Sequence, residues 1–159
     1  MFRHAPARLG IRRIGRIAAA VSLAAAVSGG TIAAAAPAQA ATPLGQKVVA
    51  EAQSHKGKPY VYGAVGPSSF DCSGFTKYVF SRFGKNLPRT AAAQYTATRH
   101  IGQGAKQAGD LIFMRSSSGS ITHVGIFNGG NSWWVAPKAG DHVKLQALYS
   151  PNYSVGRVS

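Results

Sequence analysis

The spacing of apolar residues changes character several times along the chain, and each change predicts a different element. Ile17 to Ala36 form an alanine-rich apolar stretch broken by small polar residues and by Gly29-Gly30. Beyond it, Leu44, Val48, Val49 and Ala52 lie at helical spacing and predict a helix to about His55, ended by Gly57 and barred from continuing by Pro59. Tyr60 to Ser69 reads as loop. Phe75, Val79 and Phe83 then recur at four-residue steps between Asp71, a good N-cap, and Gly84, a stop, which predicts an amphipathic helix with Cys72 in its first turn. Leu87-Pro88-Arg89-Thr90 opens a third, short helix, with Thr90 as cap and Gln94 on its second turn. From Asp110 the pattern shortens to apolar or alternating runs at Leu111–Met114, His123–Phe127, Ser132–Ala136, Val143–Leu148 and Val155–Val158, separated by Gly, Asn, Ser and Pro. Helices first and a meander of strands afterwards predict an α+β domain, its N-terminal helices packed on an antiparallel β-sheet.

Charge changes the reading of the first forty residues. Arg3, Arg8, Arg12, Arg13 and Arg16 precede the alanine-rich stretch with no acid among them, and Ala38-Gln39-Ala40 follows as an A-x-A cleavage pattern, so residues 1–40 are expected to be a signal peptide cut after Ala40. A retained membrane anchor competes with this reading, but the stretch is weakly hydrophobic for its length and is broken by Ser28-Gly29-Gly30-Thr31. Arg12-Arg13 leaves a twin-arginine route open, with the same destination. Residues 41–159 then make a single domain of 119 residues, enough for one modest core. Without the five leader arginines, 13 Lys and Arg stand against four acids, a net charge of +9 with neutral histidine. For an exported monomer such a surface points to anionic wall polymers or lipid head groups. Nucleic acid is not expected, since the chain has neither a packed Lys/Arg run nor an aromatic-interleaved basic patch.

Cys72 is the only cysteine. Outside the cytosol a lone thiol is buried and inert, joined to another chain, or kept for its reactivity. A position in the first helical turn favours the last, because unpaired N–H groups and the positive end of the helix dipole stabilise a thiolate there. The charge of Asp71 opposes this, so cap and thiol must point apart. His123 is the second candidate. Along Thr122-His123-Val124-Gly125-Ile126-Phe127 a strand turns Val124 and Ile126 to one face and His123, Gly125 and Phe127 to the other. If a helix lay across the His123 side it would bring Cys72 against the imidazole, which can take a thiol proton and return it to a leaving amine. His55, His100 and His142 stand in polar or helix-end settings that suit solvated histidines. No zinc site is expected, since one cysteine and scattered histidines lack ligand spacing, and nothing in the chain calls for a cofactor.

Five blocks in order carry a resemblance to a known family: Gly57-Lys58-Pro59-Tyr60-Val61-Tyr62-Gly63, Phe70-Asp71-Cys72-Ser73-Gly74-Phe75, Leu87-Pro88-Arg89-Thr90 with Gln94, Ala108-Gly109-Asp110-Leu111-Ile112-Phe113, and Thr122-His123-Val124-Gly125-Ile126-Phe127. Over nearly all of residues 41–159 the chain resembles the NlpC-type cell-wall cysteine peptidases. The resemblance implies a permuted papain-like core, with Cys72 as nucleophile and His123 as general base and then acid. It also implies site support from Tyr60 and Ser73, the N–H groups at the helix start stabilising the oxyanion, with Tyr60 as a further donor. The implied reaction is hydrolysis of a peptidoglycan stem-peptide amide, most often between D-γ-glutamate and the following diamino acid, through a thioester.

One departure stands out. The family places a third polar residue on the strand after the catalytic histidine, within a block resembling His-Ala-Pro, and here that run is Trp133-Trp134-Val135-Ala136-Pro137. Val135 cannot accept the imidazole N–H. Either a backbone carbonyl or water orients His123, or Asn131 or His142 reaches in, or activity is reduced or lost. Alternation along the strand would bury one of Trp133 and Trp134 and leave the other to stack on a glycan. The alternatives to a stem-peptide hydrolase are a non-catalytic wall-binding or effector module on the same fold, and a related amidase or acyltransferase.

Overall fold

The computed structural model describes residues 40–159, so the expected signal peptide lies, except for Ala40, outside the described residues. Helix α1 spans Pro43–Ser54, with Pro43 at its first position and the Thr42 hydroxyl accepting the Gly45 N–H at 3.0 Å. Helix α2 spans Cys72–Ser81 and α3 spans Ala91–Ala97, capped by Asp71 and Thr90. Past Ser81 the chain turns back, the Lys85 N–H reaching the Phe80 carbonyl around Gly84 at φ +72°. Phe83 is therefore half-buried in the turn instead of extending the helical ridge.

The strands are β1 (Arg99–Ile101), β2 (Leu111–Arg115), β3 (Ile121–Gly129), β4 (Ser132–Val135), β5 (Lys144–Ala147) and β6 (Tyr153–Arg157), with a 3-10 turn at Gln103–Ala105. They form one six-stranded sheet in the order β1-β6-β2-β3-β4-β5, antiparallel at every pairing, so the α+β expectation holds. Strand ends shift by one or two residues from expectation, and β1 was not expected at all. Strand β1 is three residues of largely exposed chain that pair with β6, and so short a strand has no alternation to read. Strand β6 begins at Tyr153, two residues early, because Tyr153 and Ser154 pair with Met114 and Phe113.

Both faces of the sheet are packed. Val124 and Ile126 of β3, with Leu111, Phe113 and Trp134, join Val48 of α1 and Phe75, Val79 and Phe80 of α2 in one apolar cluster. Phe75 and Val79 are fully buried and Phe80 is 1% exposed. At about 1.5–3 kcal/mol for each buried side chain, this ridge is what seats α2 on the sheet. Ile112, Met114, Phe127, Trp133, Val135 and Val155 form a second cluster on the opposite face. The helices thus cover the Val124 side of β3, not the His123 side, which corrects the idea of a helix lying across the histidine's face. Gln94 ties α3 to α2: fully buried, it donates to the Ser73 and Pro88 carbonyls at 2.9 Å each and accepts the Thr76 hydroxyl at 2.7 Å.

Candidate functional site

Asp71 organises the start of α2. One carboxylate oxygen accepts the Gly74 N–H at 2.7 Å as the helix cap, and the other accepts the Gly63 N–H at 2.9 Å, pinning the loop before the helix. Arg89, from the segment entering α3, grips both oxygens through its two terminal nitrogens. The Ser73 hydroxyl accepts a further Arg89 N–H at 3.0 Å. Burial alone would raise the Asp71 pKa, but the Arg89 contact and the two N–H donors hold it below the ordinary carboxylate value. Gly74 matters for a separate reason, since a Cβ there would collide with the Ala64 carbonyl and push the loop away. Tyr60, Tyr62 and Gly63 of that loop, Asp71, Cys72 and Ser73 at the helix start, and Arg89, Thr90 and Ala91 line a cleft of about 390 Å³. The structure places Cys72, Tyr60 and Ser73 around this one cleft, and His123 is not among the residues that line it. Arg89 and Asp71 complete the cleft as an ion pair that sequence reasoning did not foresee, because the partners lie 18 positions apart and only the fold makes them neighbours.

Cys72, at the first position of α2, reaches the strand backbone beside the histidine. The N–H of Val124, the residue after His123, together with the N–H and hydroxyl of Ser73, favours its thiolate. These do not prevail. Burial, and then the charge of Asp71, push the thiol above its ordinary value, contrary to the expectation of a lowered pKa. A half-buried sulfur loses more by desolvation than one helix terminus returns, and Asp71, although paired with Arg89, remains the adjacent residue. Tyr60 is raised too, first by burial and then by Cys72, so its hydroxyl keeps its proton at neutral pH.

His123 lies on the other face of β3, its ring 5.4 Å from that of Trp133 at an interplanar angle of 87°. Nε2 is buried and has no hydrogen-bond partner among the described residues. Val135 is fully buried on the same face, one strand over. Of the groups considered as orienters, Asn131 is exposed at the β3–β4 turn, and His142 is exposed beside Asp141, its Nδ1 3.5 Å from a carboxylate oxygen. Among the described residues, neither bonds to His123, and no backbone carbonyl does. The expectation for the tryptophans is corrected as well: Trp133 is 0% and Trp134 4% exposed, so neither is free to stack on a glycan. Alternation does send them to opposite faces, but β4 lies inside the sheet and both faces are covered. His55, expected in solvent, is 5% exposed, bonded to Glu51 and Lys58 and packed edge-on against Phe70 and Tyr78.

Burial lowers the His123 pKa from 6.5 to about 4, and this sets a pH dependence for folding. In the unfolded chain the ring takes up a proton near its ordinary value, whereas in the fold it resists until about pH 4. Its contribution is therefore complete above pH 6.5 and is lost as the pH falls toward 4, by about 3 kcal/mol. Urea midpoints between pH 7.5 and 4 for the parent and His123→Gln check this. The parent should lose more stability than the variant over that window, and equal losses would contradict the burial account.

Residues 57–156 match the model of the NlpC/P60 family. Among curated relatives, a probable endopeptidase p60 of Listeria innocua is 54% identical over 82 residues, covering 52% of this chain and 17% of the relative. The chain thus spans about a sixth of that protein's length. Among solved structures, the NlpC/p60 domain of the peptidoglycan hydrolase SagA superposes with a TM-score of 0.66 at 38% identity, covering 71% of this chain and 98% of that one. The peptidoglycan hydrolase RipB of Mycobacterium tuberculosis superposes with a TM-score of 0.65 at 29% identity, covering 72% of this chain and 64% of that one.

Proposed function

Because the chain belongs to the NlpC/P60 family, we propose that it is a cysteine endopeptidase that cuts peptidoglycan stem peptides, with Cys72 as nucleophile and His123 as general base and then general acid. One observation carries this reading: the chain's only thiol opens into the Tyr60–Arg89 cleft while touching the strand backbone next to His123. With the thiol pushed up and the imidazole pulled down, the pair rests neutral and does not form an ion pair before attack. The thiol proton then moves to His123 as the sulfur bonds to the amide carbon. The Cys72 amide, which has no acceptor within its helix, and the Tyr60 hydroxyl stand ready for the oxyanion. Collapse of the tetrahedral intermediate breaks the C–N bond, and the imidazolium gives its proton to the leaving amine. Water, deprotonated by His123, cleaves the thioester to the acid and the free thiol.

Arg89, 40% exposed although bound to Asp71, has a surface from which to meet a substrate carboxylate. All four side-chain carboxylates of residues 41–159 are paired with a cation: Glu51 with Arg82, Asp71 with Arg89, Asp110 with Arg157, and Asp141 with Lys144. What the surface offers an anionic wall is therefore its surplus of Lys and Arg. We place the working protein outside the cell with Ala41 as its first residue, and N-terminal sequencing of the secreted form reads this directly. The substrate bond proposed is the one between D-γ-glutamate and the diamino acid. A synthetic L-Ala–γ-D-Glu–diamino acid peptide should give two products divided at that bond. Cleavage elsewhere would favour the related amidase reading, and binding without cleavage would favour the non-catalytic module, to which Val135 and the raised thiol pKa lend their support.

A further inference from the structure

The buried Nε2 of His123 has no hydrogen-bond partner among the described residues, yet the ring's surroundings are closely built. His123 and Gly125 of β3 share a face with Trp133 and Val135 of β4, where Phe127 pairs with Trp133. Gly125 leaves the space that these β4 side chains fill: a Cβ there would come within 2.6 Å of Trp133 Cε3 and 2.5 Å of Val135 Cγ1. The bare glycine therefore lets the indole close over β3 beside His123, where the two rings meet edge to face at 5.4 Å. Tyr149, from the connection between β5 and β6, backs the indole at 6.1 Å, and Trp133 is fully buried, so the ring has little freedom to move.

We propose that Trp133 is the positioning residue for His123, taking the place of a polar third group by fixing the imidazole plane and favouring the tautomer protonated at Nε2. The proposal rests on the reading of His123 as general base. Two physical arguments support it. On this assignment the imidazole edge that carries Nε2 is the one presented to the indole face, where an N–H keeps a weak attraction and a lone pair would meet the negative side of the ring quadrupole. The Nε2–H tautomer leaves the Nδ1 lone pair to take the thiol proton. In the same arrangement the imidazolium formed during attack, its centroid 5.4 Å from that of the indole, gains a cation–π attraction that the neutral ground state lacks. The benefit belongs to the transition state and should appear in kcat more than in KM.

Nitrogen-15 NMR of histidine-labelled protein tests this on the unmutated chain, with His123 assigned by its absence in His123→Gln. The expected spectrum between pH 5.5 and 8 shows a protonated Nε2 and an unprotonated Nδ1; protonation at Nδ1, or an even mixture, would overturn the proposal. Kinetically, Trp133→Leu should lose roughly 5–30-fold in kcat with little change in KM. Trp133→Phe, which keeps an aromatic face, should retain most of the rate. Val135→Asn should restore kcat in the Trp133→Leu background while adding little to the parent. Full activity in Trp133→Leu, or equal losses in the Leu and Phe variants, would overturn the proposal. If the Trp133 variants do not fold, the parent spectrum decides alone. An inactive parent, or a His123→Gln variant as fast as the parent, sinks the general-base reading; an active parent protonated at Nδ1 sinks only the role of Trp133.

Discussion

Cys72→Ala and Cys72→Ser are each expected to slow stem-peptide cleavage by roughly 10⁴- to 10⁶-fold while leaving the protein folded. The loss follows from the thiol being the only one in the chain and lying in the Tyr60–Arg89 cleft. No other group in that cleft can form the acyl-enzyme with the same geometry: Ser73 is 5% exposed and its hydroxyl is held between Asp71 and Arg89. Folding should survive because Cys72 is only partly buried at the edge of the helix-side cluster, and the cap of α2 comes from Asp71. Circular dichroism and a thermal melt beside the activity assay separate the outcomes. Folded variants with parental rates would remove Cys72 from the chemistry, and unfolded variants would recast it as a core residue.

Asp71→Ala should be the most damaging change to stability near the site, at about 3–5 kcal/mol. A single carboxylate caps α2 through Gly74, anchors the preceding loop through Gly63 and neutralises Arg89. Losing the cap alone costs about 1 kcal/mol, and the charge-assisted bonds to Gly63 and Arg89 account for the rest. Activity should fall as well, because the Gly63 loop carries Tyr60 and Tyr62 into the cleft. The charge of Asp71 also opposes the thiolate, so in any folded fraction the Cys72 pKa should come down. Asp71→Asn, which can still accept the Gly74 N–H, should lose less stability. Denaturant midpoints of the two variants decide the matter, and a loss under 1 kcal/mol in Asp71→Ala would show that the network is dispensable.

What was legible in the sequence is what neighbouring residues decide among themselves. The cap at Asp71, the four-residue steps of Phe75 and Val79, and the stop at Gly84 placed α2 and put Cys72 in its first turn, because helix ends are satisfied locally. The alternation of β3 assigned Val124 and His123 to opposite faces for the same reason. Three-dimensional neighbours decided the rest. Strand β1 exists because β6 lies beside it, and the burial of both tryptophans follows from β4 having strands on each side and packing on each face. The thiol pKa turned on how deeply the sulfur sits, which outweighed a helix terminus that could be read from the chain. His55 looked like a solvated helix-end residue until Phe70, Tyr78 and Lys58 closed around it. Val135 was recognised as a departure from its block alone, but that Trp133 stands beside His123 depends on the pairing of β3 with β4 and on the space left by Gly125.

Mass analysis of soluble fragments released from purified cell wall, by the parent and by Cys72→Ala at equal concentration, tests the central claim most directly. The account predicts fragments carrying a new free amine on the diamino acid and a new carboxyl on D-glutamate from the parent, with none above background from the variant. Release of the same fragments by both proteins, or wall that binds the folded parent and stays uncut, would contradict it.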